Sequence, residues 1–102
     1  MIVVAGTITY DPTHQQDVIA GALRVAEATR TEEGCRSYEF FADLARPGRL
    51  LVFEEWEEES HLVAHLETQH LADFGVVLQS AGLQSRDINR YYVSGVVPNR
   101  PT

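Results

Sequence analysis

The chain has 102 residues, of which 44% are hydrophobic and 23% are charged, so its composition is that of one globular domain and argues against disorder. Its 15 acidic residues, eight arginines and no lysine give a net charge of -7, which argues against a nucleic-acid surface of clustered basic side chains. The single cysteine, Cys35, excludes an internal disulfide, and no apolar run is long enough to span a membrane.

A run of β-branched and apolar residues, Ile2–Thr9, predicts the first strand. No basic region typical of a signal peptide precedes it, so we expect a cytoplasmic protein. A helix should begin at Asp11-Pro12-Thr13, where a capping residue precedes a proline that the first turn tolerates. Apolar residues at helical spacing continue this helix to about Glu32, and Gly34 follows where a left-handed cap is favourable.

Two further strands are predicted over Cys35–Ala42 and Arg49–Trp56, joined by the turn Arg46-Pro47-Gly48, so that they pair antiparallel. Cys35 itself is expected to be a small buried strand residue and not a nucleophile.

The last part of the chain contains a broken helix and a final strand. Ser60 can cap a short helix that ends near Leu66, and Thr68 can cap a second helical piece that ends at Gly82. Residues 85–97 are predicted to form the fourth strand. We therefore expect a single domain over residues 1–97 and a C-terminal tail over residues 98–102.

The predicted order β-α-β-β-α-β is the ferredoxin-like α+β pattern with an antiparallel sheet. Two helices can cover only one face of a four-stranded sheet, yet both faces of the first strand are apolar. Ile2 and Val4 lie on one side, and Val3 and Ala5 lie on the other. Because an uncovered apolar sheet face is a partner surface, we expect a homodimer formed sheet against sheet, which the long last strand helps to join.

Three of the four histidines follow Trp56 within one short segment. Histidine titrates near neutral pH, so the cluster is a candidate site for proton transfer. His65 and His70 can converge only if the helix breaks near Thr68, whereas His61 is expected at the surface. The spacing is not that of a zinc protease and no third ligand is evident, so no metal is expected. The alternative is that one or more of these histidines is exposed, or is buried and satisfied by hydrogen bonds.

Glu54 lies on the same strand face as Trp56 and has apolar neighbours, so we expect it to be partly buried, where a carboxylate needs a partner. A histidine or Arg90 could provide that partner. Trp56 is favoured as a core residue. The glycines stand too far apart for a dinucleotide or phosphate loop, and the nucleophile elbow does not occur, so no cofactor is predicted.

Four segments together resemble the antibiotic biosynthesis monooxygenase family, and most of all its small quinol monooxygenases. They are Glu33–Tyr38, Glu54–Trp56, Ser60–Leu62 and Ala64–His70. The similarity extends over nearly the whole chain, because the first strand, the first helix and the last strand also lie where that fold has them.

The resemblance implies a dimeric α/β barrel with an apolar cleft in each subunit. It also implies a monooxygenase that needs no metal, flavin or haem, because its substrate is a phenol, quinol or anthrone whose anion reacts with molecular oxygen directly. On this basis His65 is the predicted base or oxyanion partner, and His70 assists it. The predicted substrate-binding residues are Tyr38, Phe40, Phe53, Glu54 and Trp56.

Two alternatives to oxidation stay open. A relative of the same family isomerises a phosphorylated sugar with similar histidines, although a phosphosugar would need basic residues in the cleft and the sequence offers few. A non-catalytic dimer that binds an apolar aromatic molecule is the other alternative. Haem-degrading relatives use a strand-1 asparagine and a late helical histidine, which Val4–Thr7 and Ala72–Val76 lack, so no haem role is expected.

Overall fold

The computed structural model describes residues 1–101, and the order of its elements confirms the predicted ferredoxin-like pattern. A short 3₁₀ turn, Pro12–His14, precedes the first helix, and the Asp11 carboxylate accepts a hydrogen bond from the backbone N–H of Thr13 there. The strands and α-helices, in chain order, are β1 (Ile2–Thr9), α1 (Gln15–Thr29), β2 (Cys35–Ala42), β3 (Arg49–Trp56), α2 (Glu59–His65), α3 (Gln69–Ser80) and β4 (Ser85–Tyr92).

The four strands form one antiparallel sheet in the order β2-β3-β1-β4. Side chains alternate between the two faces of each strand, so one face of the sheet packs under the helices and the other does not. We call these the inner and outer faces. The core lies between the inner face and α1 and α3, and its buried members include Val4, Trp56, Val25, Phe74 and Leu78.

Two elements are shorter than the sequence predicts. The first helix ends at Thr29 and not near Glu32, because residues 30–34 form turns that end at Gly34, whose φ is 78°. Strand β4 ends at Tyr92 and not at Val97, because Tyr92 already lies opposite Ile2, the first residue of its partner strand. The predicted tail is irregular over residues 98–101, and Thr102 lies outside the described residues.

A register shift between Cys35 and Ser37 places Cys35 opposite Trp56. Cys35 therefore packs against the core, where it is partly buried. Burial is the largest contribution that raises the pKa of its thiol, to about 11, so the group is protonated and unreactive at neutral pH.

The outer face keeps a group of exposed apolar side chains, which we call the outer patch: Phe41, Leu51, Phe53 and Tyr91. Their exposed fractions run from 39% for Phe53 to 54% for Phe41. Within residues 1–101, no helix has both the length and the apolar character needed to cross a membrane.

Candidate functional site

A cavity of about 330 Å³ lies between the inner face of the sheet and the helices α2 and α3. Most of its wall is apolar, and this part comes from all four strands and both helices. Its apolar and aromatic members include Val4, Ile8, Tyr38, Phe40, Val52, Leu62, Leu71, Phe74, Leu78 and Ile88. Such a wall favours an apolar ligand or an apolar part of one.

A buried carboxyl group, that of Glu54, interrupts the apolar wall. Only 6% of Glu54 is exposed, and the Trp56 Nε1–H donates a hydrogen bond to Glu54 Oε1 at 3.0 Å. Burial raises the pKa of Glu54 to about 7, although the Trp56 hydrogen bond lowers it and the negative charge at Glu32 raises it. Glu54 can therefore accept or release a proton near neutral pH, which is the behaviour of a catalytic carboxyl group.

The His65 ring is buried at the cavity wall between two aromatic rings. Its exposed fraction is 2%, and its centroid lies 4.9 Å from that of Trp56 and 5.3 Å from that of Tyr38. Burial, followed by the charge at Glu54, raises the pKa of Tyr38, so its hydroxyl stays neutral and can act as a hydrogen-bond donor. The helix break that the sequence predicts does occur, because α2 ends at His65 and α3 begins at Gln69.

A third side chain, which the sequence analysis did not single out, joins the two histidines. Glu32 Oε2 lies 2.9 Å from His65 Nδ1 and 2.7 Å from His70 Nε2. The three potential ligand atoms all lie within 4.8 Å of one another, so these residues could hold a metal ion. This corrects the expectation that a third ligand is lacking. Glu32 was missed because residues near it were assigned to the end of the first helix.

Four of the predicted site residues line the cavity, and three do not. Tyr38, Phe40, Glu54 and His65 form part of its wall. Trp56 is fully buried behind His65 and Glu54, so it supports the wall without forming it. His70 lies outside the cavity wall, where it contacts Glu32 and its ring centroid is 6.2 Å from that of His65. The predicted cavity position of Phe53 is corrected, because it follows Val52 on the strand and points to the outer face.

Two arginines of β4, Arg86 and Arg90, also contribute to the cavity wall. They lie opposite Ile8 and Val4 of β1, on the inner face of the sheet. The sequence offers few basic residues for the cleft, and these two are the arginines that line it. The alternation of Arg86, Ile88 and Arg90 along β4 was the signal that could have revealed them. The predicted pairing of Glu54 with Arg90 is not among the ion pairs within residues 1–101.

Comparison with known proteins identifies the family. The family model for antibiotic biosynthesis monooxygenases matches residues 1–75, and the chain therefore belongs to this family. A Synechocystis protein without an assigned function is 36% identical over 73 residues, which cover 72% of this chain and 50% of that protein. The chain thus spans about half the length of that relative.

Two further comparisons concern a named relative and a solved structure. The Escherichia coli protein named "Probable quinol monooxygenase YgiN" is 28% identical over 79 residues, which cover 70% of this chain and 76% of that one. The crystal structure of a candidate antibiotic biosynthesis monooxygenase from Deinococcus radiodurans has a TM-score of 0.92 and 24% identity. It covers 99% of this chain and 100% of that one, and it establishes the shared fold.

Proposed function

We propose that the protein is a monooxygenase that needs no cofactor and oxidises a quinol, phenol or anthrone-like aromatic with molecular oxygen. The observation that carries the proposal is the pair of buried titratable groups, His65 and Glu54, in the wall of a mostly apolar cavity. Such an arrangement favours removal of a proton from an apolar, hydroxylated ring. The family supports oxygenase chemistry, and the name of the Escherichia coli relative supports a quinol as substrate.

In the proposed reaction, His65 takes the proton of a substrate hydroxyl group and leaves an electron-rich anion. The anion transfers electrons to dioxygen, and a carbon–oxygen bond forms at a ring carbon that carries hydrogen. Loss of water from the resulting hydroperoxide leaves a carbonyl group. One oxygen atom ends in the product and the other in water, and the substrate supplies all of the electrons. The neutral Tyr38 hydroxyl and the protonated form of Glu54 are donors available to oxyanions at the cavity wall.

The proposal includes a homodimer in the cytoplasm. The outer patch is the surface that supports the dimer, because four large side chains of one sheet face would otherwise remain in contact with water. The backbone N–H of Val93 donates to the Met1 carbonyl, but residues 94–97 have no partner strand within residues 1–101. Val96 and Val97 are 73% and 85% exposed, so residues 94–97 are free to contact a second subunit. A single unpaired cysteine is compatible with a reducing compartment.

The test is oxygen uptake by the purified, chelator-treated protein with a reduced naphthoquinol, measured against the spontaneous oxidation of the same quinol. We expect acceleration and, with isotopically labelled dioxygen, one labelled atom in the product. Acceleration without label in the product would indicate an oxidase. No acceleration with quinols and anthrones would contradict the proposal, and saturable binding of the same compounds would then favour the non-catalytic dimer.

A second candidate is an isomerase of a small phosphorylated carbonyl compound. Arg86 and Arg90 favour it, because two guanidinium groups in the wall of a cavity with a buried histidine can hold a phosphate while protons move. An isomerase consumes no oxygen. Proton–deuterium exchange into a phosphosugar, without oxygen uptake, would distinguish it from the oxygenase.

A further inference from the structure

Three side chains from separate parts of the chain meet at one carboxylate oxygen. Glu32 lies in the turn after α1, His65 is the last residue of α2, and His70 lies in the first turn of α3. Both rings approach Glu32 Oε2, with His65 Nδ1 at 2.9 Å and His70 Nε2 at 2.7 Å. Both separations are normal for charge-assisted hydrogen bonds.

Exposure increases along this chain of contacts, away from the cavity. The side chain of His65 is 2% exposed, that of Glu32 is 15% exposed and that of His70 is 29% exposed. His65 belongs to the cavity wall, whereas Glu32 and His70 do not. Glu32 therefore approaches His65 from the side of the ring that carries Nδ1, behind the cavity wall.

An ionised carboxylate can only accept hydrogen bonds, so each ring must present an N–H to Glu32. For His65 this N–H is at Nδ1, and the neutral ring then carries its free electron pair on Nε2. Within residues 1–101, no hydrogen bond engages Nε2 of His65. The nitrogen atom that can act as a base is thus the one left available to a ligand.

We infer that Glu32 is a positioning residue that holds His65 in the Nδ1–H tautomer and stabilises the imidazolium that forms when Nε2 takes the substrate proton. This inference rests on the proposed function for the identity of the substrate. The O–H bond of the substrate breaks, an N–H bond forms at Nε2, and the positive charge lies beside the Glu32 carboxylate. His70 acts through Glu32, because its Nε2–H fixes the oxygen that His65 also contacts.

The first test does not depend on turnover. Ring-nitrogen NMR of the wild-type protein near neutral pH should show His65 as the Nδ1–H tautomer, and Glu32→Gln should change this signal because the amide is a weaker acceptor and can itself donate. Glu33→Gln is the matched control, since it removes the same charge from the exposed neighbouring residue. A wild-type His65 with its proton on Nε2 would overturn the inference, even if Glu32→Gln fails to fold.

The second test uses quinol oxidation. Glu32→Gln should lower kcat about 100-fold with little change in KM, as loss of an orienting carboxylate does elsewhere, while Glu33→Gln should leave both constants unchanged. Equal kcat in the wild type and Glu32→Gln would overturn the inference. Tight binding of one zinc ion that Glu32→Gln abolishes would also overturn it, because the three residues would then be ligands. Inactivity of the wild type would refute the proposed function alone, since the NMR result still decides the role of Glu32.

Discussion

The inner and outer faces of the sheet each carry side chains in an unusual environment: the inner face buries a carboxyl group, and the outer face exposes apolar rings to water. Glu54 and Phe53 are neighbours on β3, yet the carboxyl group is 6% exposed inside and the phenyl ring is 39% exposed outside. A polar group placed in an apolar environment acquires a pKa near neutrality, and an apolar group placed in water becomes a contact surface. The proposed function accordingly assigns the chemistry to the inner face and subunit assembly to the outer face.

The largest expected effect concerns assembly. Phe53→Glu places a charge in the middle of the outer patch, so we expect the dimer to weaken about 1,000-fold, because each subunit would bury an unpaired carboxylate. Sedimentation velocity over a range of concentrations measures this change. Leu23→Glu on α1, where the leucine is 67% exposed, is the control and should leave the dimer intact. A dimer that tolerates Phe53→Glu would show that the outer patch is not the interface.

The next effect concerns the inner face and the free energy of unfolding. Glu54 has a pKa of about 7 in the folded protein against an ordinary value of 4.5, so the folded state binds the proton more tightly. Its stabilising contribution is full below pH 4.5 and is lost as the pH rises through about 7. Over this pH range the free energy of unfolding of the wild type should fall by up to about 3 kcal/mol more than that of Glu54→Gln. Urea unfolding across the range measures the difference, and Glu57→Gln is the exposed control.

If the free energy of unfolding fell equally with pH in the wild type and in Glu54→Gln, the prediction would be wrong, because the group that titrates would then not be Glu54.

The smallest expected effect concerns the hydrogen bond that the buried Trp56 donates to Glu54. Trp56→Phe keeps an aromatic ring in the core but removes the Nε1–H that donates to Glu54. Because that hydrogen bond lowers the pKa of Glu54, its loss should raise the pKa further. Carbon NMR of the labelled carboxyl group measures the shift. An unchanged pKa would mean that water replaces the indole as donor.

The fold was largely predictable from the sequence because local patterns determine it. The apolar periodicity of residues 15–29, the glycines that follow the helices and the alternation along β3 each specify an element without reference to the rest of the chain. The errors lie where an element depends on a partner. Strand β4 was expected to continue to Val97, but its end is set by the length of β1.

The site was predictable only in part, for the same reason. His65 and Glu54 were recognised because histidine and a carboxylate in an apolar context are unusual by themselves. Glu32 is one of many acidic residues in the sequence, and its contact with His65 and His70 depends on the turn that follows α1. Arg86 and Arg90 gained significance only when the sheet order placed β4 beside β1. Phe53 was assigned to the cavity, although strand alternation from Glu54 already placed it on the other face.

The most direct test of the central claim is quinol-dependent oxygen uptake by His65→Ala. We expect the rate above spontaneous oxidation to fall at least about 100-fold, because removal of a general base costs two or more orders of magnitude. His14→Ala is the matched control, since it removes a histidine outside the cavity wall, and it should retain the wild-type rate. A folded His65→Ala protein that keeps the wild-type rate would contradict the account, because the chemistry would then not depend on the buried histidine that ends α2 in the cavity wall.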